Sequence, residues 1–339
     1  QFFRARFQSD LLGYLLFPIL VGLVVIYLLM GIAGAGTVMR GLTVGMLPEL
    51  FPGVLDPASG EQIYAGAVPP WLSGLVISAV VLFYVFTGGI RGAVWANALQ
   101  TIVFMGAGVL AVYLVARGFG GLEAAAQKVL ASSPRHLARE GSIGHLRFAS
   151  YLLVPLSAGM FPHLFQHWLT AKSAKTFRLS IVCFPIFIGI VWFPCVLIGI
   201  WAAGAGIVAP GGNSNAVLAV TVGQLAASPF VSGLLAAGVL AAIMSSLDSQ
   251  FVCLGAMFTH DVLLPIAGRE RFSDRRLVLI SRLFIVSIVA VVYGLSLLPQ
   301  PHLFDLGVWC LPWHRRRQHR RPGHGGRDVQ QQRPLPQVR

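Results

Sequence analysis

The sequence predicts an all-α, polytopic membrane protein, and three of its features support this prediction. Hydrophobic residues make up 56% of the chain and charged residues only 11%, whereas soluble domains carry about 25% charged residues. Apolar runs of roughly 20 residues, the length that crosses a bilayer as a helix, recur along the chain. The runs are continuous and do not alternate with polar residues, which favours helices over a β-barrel.

About seven helices are long enough to span a membrane, and an eighth apolar run begins near Leu303. Prolines recur within the spans, among them Pro155 and Pro162 in the fourth and Pro185 and Pro194 in the fifth. Such residues are typical of transporters with broken helices and also of ordinary bundles with packing kinks. The predicted spans are 11–35, 70–88, 93–116, 148–169, 179–206, 229–257 and 277–298.

For a protein of the inner (plasma) membrane, the distribution of basic residues predicts that residue 1 lies on the cytoplasmic side. Short cytoplasmic connections are rich in Lys and Arg. The basic residues that then face the cytoplasm are Arg4, Arg6, Arg91, Lys172, Lys175, Arg178, Arg269, Arg271, Arg275 and Arg276. The opposite loop 208–228 has no charged residue, and the connection 118–147 is a partial exception.

The sixth span contains the sequence LAAIMSSLDSQF, with three hydroxyls and a carboxylate in an apolar helix. Ala242, Ser245, Ser246 and Ser249 share one helical face, and Asp248 adjoins it. An Asp in mid-membrane costs about 2.5–3.5 kcal/mol on insertion scales, so it requires a cation, a donor or a water-filled cavity. Serines alone would also fit close helix packing. Hydroxyl, carbonyl and carboxylate oxygens suit a hard cation such as Na⁺.

Two further stretches carry polar residues. In TGGIRGAVWANALQ, Gly88 and Gly89 predict a tight turn between the second and third spans, and Asn97 follows it. In FPHLFQHWLTAKS, His163 and His167 have the spacing of a two-His metal site, but the glutamate of HExxH and a third ligand are lacking. The four cysteines lie in apolar context at irregular spacing, which indicates neither a disulfide framework nor a metal site.

Together these stretches resemble the sodium:solute symporter family over roughly residues 1–310. TGGIRGAVWANALQ is similar to its GG-L-x-A-V-x-x-D-x-x-Q signature. AAIMSSLDSQ followed by FTHD is similar to its AA-(I/L)-(M/V)-S-(S/T) helix ending in F-T-x-D, and FQHWLTAKS to its Q-R-x-x-(A/T)-A-K-(S/D) loop. The resemblance implies a partial LeuT-like bundle of two inverted five-helix repeats, with sites at discontinuous helices near the midplane. The first two core helices would precede Gln1.

The resemblance also implies a sodium site on the sixth span. Its ligands would be the carbonyl of Ala242 and the hydroxyls of Ser245 and Ser246, together with two backbone carbonyls of the unwound first core helix. The partner ions and molecules implied are Na⁺, a small solute and the lipid bilayer. On the fourth span, Gly159, Met160 and Phe161 are weak candidates for lining the solute pocket.

Some family members hold a second sodium one turn further in. The matching positions here are Ser245, Asp248, Ser249 and Asn97, but the family has an Asp where this chain has Asn97. Two interpretations stay open. The carboxylate has moved from position 97 to 248 and still neutralises a cation, or Asp248 carries a proton or pairs with a polar group and no second sodium binds.

The resemblance implies Na⁺-coupled symport of a small polar solute by alternating access. An organic acid or amino acid is the first candidate, because the FPHLFQ stretch is closest to those branches of the family. The alternative is a symporter-like sensor domain of a signalling protein. An enzyme is not expected, because the sequence lacks G-x-S-x-G and HExxH. Without the first core helices, the chain alone is not expected to transport.

Residues 311–339 form a second, basic region beyond the transmembrane domain 1–310. This tail holds eight Arg and one Asp with almost no core-forming residue, which predicts disorder. A basic run can bind nucleic acid or anionic lipid, but the topology places this one outside, so neither partner is expected. The change of composition inside an expected span is also typical of an out-of-frame C-terminus.

Overall fold

The computed structural model describes residues 2–55, 60, 62–134, 137, 144–151, 153, 159, 161–210, 213–225, 229–298 and 303. The α-helices are α1 (Phe2–Phe7), α2 (Asp10–Leu42), α3 (Pro70–Gly118), α4 (Leu122–Ser132), α5 (His145–Ser150), α6 (Pro162–Leu169), α7 (Phe177–Gly204), α8 (Val217–Leu225), α9 (Pro229–Met257), α10 (Leu264–Ala267) and α11 (Asp274–Ser296). A π-helical segment, Phe258–Leu263, joins α9 to α10. Strands β1 (Val54–Leu55) and β2 (Gln62–Ile63) pair antiparallel between α2 and α3. Short 3₁₀ turns lie at Ala174–Thr176, Ser214–Ala216 and Arg269–Arg271.

The structure confirms an all-α, polytopic membrane protein. Within the described residues, five helical segments are long and apolar enough to cross a membrane. They are Asp10–Leu42, Pro70–Gly118, Ala174–Gly204, Phe230–Ala267 and Asp274–Ser296. The prediction of about seven spans differs from this number for two reasons, which concern α3 and the region of α5 and α6.

Helix α3 contains two of the predicted spans, because it folds back on itself at Gly89. The backbone of Gly89 has φ +57° and ψ −152°, a conformation that residues with a Cβ avoid. A Cβ placed on Gly92 would lie 3.5 Å from the carbonyl oxygen of Tyr84, whereas eight residues of straight helix cover about 12 Å. The arms 70–88 and 90–118 therefore form a hairpin with its turn where the sequence predicted one.

The span predicted over 148–169 is interrupted, which selects a broken helix over a kinked one. Helix α5 ends at Ser150, and Phe161 has an extended backbone immediately before α6 begins at Pro162. Proline lacks an N–H and clashes with the preceding turn, so it starts a helix more readily than it continues one. The helix is discontinuous, as the LeuT-like resemblance implies for core helices that line a site.

Helix α2 extends beyond the predicted span 11–35 at its C-terminal end. Its start is capped by Ser9, whose Oγ accepts a hydrogen bond from the N–H of Leu12 at 3.3 Å. Because the helix continues to Leu42, Arg40 lies in its last turn, with its guanidinium 3.9 Å from the ring centre of Tyr64. Tyr64, in the connection between α2 and α3, thus packs against the end of α2.

Helix α9 lies at the centre of the bundle and packs against α2, α3 and α11. Glycines permit close approach, since a Cβ on Gly238 would lie 2.1 Å from the Cβ of Ala107 and one on Gly31 would lie 2.9 Å from the side chain of Leu247. Small residues at helix contacts favour such packing in membranes. The main core comprises Val24, Leu28, Ile32, Ala35, Ile77, Val81, Val85, Leu247, Phe251, Leu254, Ile285, Val289 and Val292.

Candidate functional site

The serine face of α9 presents oxygens at one level of the bundle. The hydroxyl of Ser245 donates a hydrogen bond to the carbonyl oxygen of Ala242 at 2.9 Å. A hydroxyl that donates keeps its lone pairs, so both oxygens remain acceptors for a cation on that face. Ser246 is half-buried beside them. The structure therefore brings two of the three predicted sodium ligands within 3 Å of each other.

Asp248 is completely buried one turn further along α9. Its Oδ1 accepts a hydrogen bond from the hydroxyl of Ser249 at 3.1 Å, and its Oδ2 accepts one from the hydroxyl of Tyr84 at 3.3 Å. Among the described residues, no Lys, Arg or His forms an ion pair with Asp248. The hydroxyls satisfy part of the carboxylate's hydrogen-bonding capacity, but no basic side chain there neutralises its charge.

Asn97, on the second arm of α3, contacts the serine face instead of Asp248. Its Nδ2 donates to the backbone oxygen of Ser245 at 3.1 Å, and its Oδ1 accepts from the hydroxyl of Thr101 at 3.4 Å. No direct hydrogen bond joins Asn97 to Asp248 in the described structure. The structure thus joins Asp248 to Ser249 and places Asn97 one turn away.

Sequence reasoning missed Tyr84 as a site residue. The α3 hairpin brings its hydroxyl to Asp248 and also close to the Gln100 side chain. The Oε1 atom of Gln100 is buried without a hydrogen-bond partner in the described part of the chain. The sequence did contain a signal for this contact. If the chain reverses at Gly88 and Gly89, then Tyr84, which precedes the turn, lies on the same side as the polar residues that follow it.

The candidate pocket residues lie at the break before α6. The Phe161 ring centre is 5.6 Å from that of Tyr27 on α2 and 5.9 Å from that of His163. A Cβ on Gly159 would lie 2.5 Å from the ring of Trp168. Met160 lies outside the described residues. Aromatic side chains from α2 and α6 therefore meet at this break.

An apolar cavity of about 140 Å³ adjoins the serine face. It lies between α2, the second arm of α3, α7, α8 and α9, and Ala242 is part of its lining, with Phe104 and Leu235. Cavities with apolar walls exclude water and ions. The polar groups on this side of α9 therefore begin at Ala242 and continue towards Ser249.

The family model of the sodium:solute symporter family matches residues 71–307, which include α3, α9 and α11. This chain belongs to the sodium:solute symporter family. Members of this symporter family are transporters, which agrees with the prediction that the chain is not an enzyme.

Several curated relatives of this symporter-family chain are known by name. The osmoregulated proline transporter OpuE of Bacillus subtilis is 25% identical over 256 residues, covering 73% of this chain and 51% of the relative. The sodium/pantothenate symporter of Haemophilus influenzae is 23% identical, covering 69% and 48%. The sodium/proline symporter of Escherichia coli is 23% identical, covering 70% and 47%. The chain spans about half the length of the curated relatives it matches.

Proposed function

We propose that this chain belongs to a Na⁺-coupled symporter that carries a small polar solute across the inner (plasma) membrane by alternating access. The observation that carries the proposal is the set of oxygens on α9, which ends in a fully buried carboxylate, Asp248, that no described basic residue neutralises. Buried charges in membranes require a partner, and a transported cation supplies one. The names of the relatives, which include sodium/proline and sodium/pantothenate symporters, support the same activity.

In this proposal Ala242, Ser245 and Ser246 hold one sodium ion. Na⁺ is a hard cation that prefers oxygen ligands. The 2.9 Å separation between the Ala242 oxygen and the Ser245 hydroxyl suits two ligands of one ion. The discontinuous region before α6 fits the general design in which ions and solute bind beside broken helices.

Asp248, Ser249 and Asn97 form the proposed second cation site. Asn97 has no charge and uses its amide nitrogen on the Ser245 carbonyl, so Asp248 supplies the negative charge of this region. We infer that the carboxylate serves the second cation from α9 instead of from α3. This inference adopts the first of the two interpretations that the sequence left open.

The test is a titration of sodium binding to the purified intact protein, measured with radioactive sodium so that no solute is needed. We expect Asp248→Asn to lower the Hill coefficient from about two towards about one, since that coefficient is limited by the number of sites. The matched control is Asp274→Asn, because the Asp274 carboxylate is 90% exposed. If the Hill coefficient and the sodium affinity are unchanged in Asp248→Asn, the proposal of a second cation site is wrong.

A charge exchange sharpens this test. Asp248→Ser removes the carboxylate, and the double variant Asp248→Ser with Asn97→Asp returns it to the family's position on α3. We expect the single variant to bind less sodium and the double variant to recover the second ion. If the double variant binds no more sodium than the single variant, the two positions are not parts of one site.

For the solute we propose an organic acid or an amino acid. The relatives are named for proline and pantothenate, and both compounds carry a carboxylate. The rings of Phe161, Tyr27 and His163 form an aromatic wall beside the break at α6, and we assign Gly159 and Met160 to the same pocket. The measurement is the uptake of labelled proline or pantothenate in the presence of unlabelled competitors. We expect carboxylates to reduce this uptake and sugars to leave it unchanged. We also propose that residue 1 faces the cytoplasm.

A further inference from the structure

Helix α1, a six-residue segment outside the five candidate spans, connects three parts of the molecule. Its Arg4 side chain is only 16% exposed. The Nε of Arg4 lies 3.1 Å from the Oδ1 of Asp10, and its Nη2 donates to the backbone oxygen of Asp261 at 3.4 Å. Its guanidinium also lies 4.6 Å from the ring centre of Tyr14. One side chain thus joins the start of α2 to the π-helical segment after α9.

The chain leaves space for this contact. A Cβ on Gly13 would lie 2.8 Å from the Nε of Arg4, so the absence of a side chain there lets the guanidinium lie across α2. Charge-assisted hydrogen bonds are roughly twice as strong as neutral ones, and the guanidinium presents several donors in a fixed plane. Arg4 is therefore held by geometry as well as by charge.

On its other side, α1 contacts the helix that follows the break. The ring of Phe2 packs edge-on against the ring of Phe165 on α6, with centroids 5.3 Å apart. The π-helical segment is itself fixed to α11, because Phe258 stacks on Phe284 at 4.1 Å. Helix α1 thus bridges α6 to the pair formed by α2 and α9. π-Helical turns frequently mark functional positions.

We propose that α1 is a latch that closes this end of the transport pathway. Alternating access requires one group of helices to rock against another around a fixed site. Helix α6 packs directly on α9 and, through His163, on Tyr27 of α2. The contacts of Phe2 and Arg4 add a further fastening through α1, which must also separate before α6 moves relative to α2 and α9. The inference rests on the proposed alternating-access function, but its test does not use sodium or solute.

Cys253 on α9 can report the opening of this end of the transport pathway. Ser249, Cys253, Met257 and Asp261 follow at intervals of four residues, so they run in one stripe from the cation site to the latch. Cys253 is 1% exposed, and its Sγ lies 3.5 Å from the Sδ of Met257. Its rate of reaction with a thiol reagent therefore measures how often water reaches this stripe.

The experiment uses the intact protein with its other three cysteines, Cys183, Cys195 and Cys310, replaced by Ser. We expect Arg4→Ala to raise the alkylation rate of Cys253 by a factor of about ten or more, because the open state becomes more populated. Arg6→Ala is the matched control, since Arg6 has the same charge on the same helix but is exposed. Equal rates in the Arg4→Ala and Arg6→Ala proteins would overturn the proposal.

A second variant separates a latch from a general loss of stability. In a second protein, Arg4→Cys and Asp261→Cys are joined by a short bifunctional maleimide, so that a covalent link replaces the contact between Arg4 and the π-helical segment, and labelling of Cys253 is then read by mass spectrometry. If α1 is a latch, the cross-link returns the rate to that of the Arg6→Ala protein. If the rate stays high after cross-linking, the substitution of Arg4 has loosened the fold and the latch does not exist.

Discussion

At the scale of single residues, Asp248 shows how a carboxylate is accommodated without a basic partner. Its two oxygens accept hydrogen bonds from Ser249 and Tyr84, and its side chain is inaccessible to solvent. Leaving a buried charged group without its hydrogen bonds is costly. Each hydroxyl therefore contributes to the stability of the protein as well as to the geometry of the proposed cation site.

We expect Tyr84→Phe to lower the free energy of unfolding by about 1–3 kcal/mol, because it removes one donor from a buried carboxylate. The measurement is the thermal unfolding midpoint of the detergent-purified protein. Tyr113→Phe on the same helix is the control, since Tyr113 is 57% exposed and the change should have little effect. Equal midpoints for Tyr84→Phe and the unsubstituted protein would show that this hydrogen bond is energetically unimportant.

The sequence predicted that Asp248 requires a compensating group, because the cost of a charge in an apolar helix is independent of the fold. It did not predict that Tyr84 is one of the two hydroxyl donors. The two residues are 164 positions apart, and their contact depends on how α9 packs on the α3 hairpin. Likewise, Asn97 was assigned to the second site from a motif, and only the structure places its amide on Ser245.

At the scale of elements, the α3 hairpin depends on one backbone conformation. Gly89 has φ +57° and ψ −152°, a combination that is nearly confined to glycine. Added atoms would not clash there, since nothing lies within 4 Å of a Cβ placed on either Gly88 or Gly89. The requirement for glycine at position 89 is therefore conformational and not a matter of space.

We expect Gly89→Ala to destabilise the protein by about 1–3 kcal/mol, the cost of holding a residue with a Cβ in this region. Gly88→Ala is the matched control, because Gly88 is adjacent, equally unobstructed and not in a positive-φ conformation. Denaturant titration of both variants measures the difference. If the two variants are equally stable, the turn relaxes to another conformation and the hairpin does not depend on Gly89.

Most helices were predictable from the length of the apolar runs. The spans predicted at 179–206, 229–257 and 277–298 correspond to α7, α9 and α11 within a few residues. The break before α6 was not predictable in this way, because the apolar residues continue through 148–169. Hydrophobicity reports burial in the bilayer and says little about backbone conformation, so proline at 162 was compatible with a kink or a break.

At the scale of the whole molecule, the connection 43–69 links distant parts of the chain. Tyr64 is 7% exposed, its ring lies under the guanidinium of Arg40, and its hydroxyl donates to the backbone oxygen of Pro210 at 2.9 Å. Burial raises the pKa of Tyr64, and the nearby Arg40 charge opposes this rise. The neutral phenol is therefore the form that the folded protein stabilises.

A raised pKa in the folded state gives stability that is present below the ordinary Tyr value of 10.0 and is lost as pH rises through the folded pKa. We expect the unfolding midpoint of the unsubstituted protein to fall more steeply above about pH 10 than that of Tyr64→Phe, which keeps the ring beneath Arg40. Melting curves across the alkaline range check this. Parallel pH profiles for the two proteins would contradict it.

Contacts of this range were beyond prediction from sequence. Tyr64 and Pro210 are 146 residues apart, and both lie in connections whose composition indicates no partner. The extension of α2 to Leu42, which places Arg40 above Tyr64, follows from packing at the end of the bundle. The fold class was predictable because composition and run length suffice for it, whereas the positions of connections follow from tertiary contacts.

The α3 hairpin also bears on how the protein enters the membrane during synthesis. Tyr84, Asn97 and Gln100 are translated well before Asp248, so the ribosome adds about 150 residues before α9 can meet them. A polar side chain that has no partner in the bilayer raises the free energy of the inserted chain. The reversal at Gly89 lets Tyr84 and Gln100 contact each other at once. The hairpin thus keeps the polar side chains of Tyr84 and Gln100 next to each other until α9 is inserted.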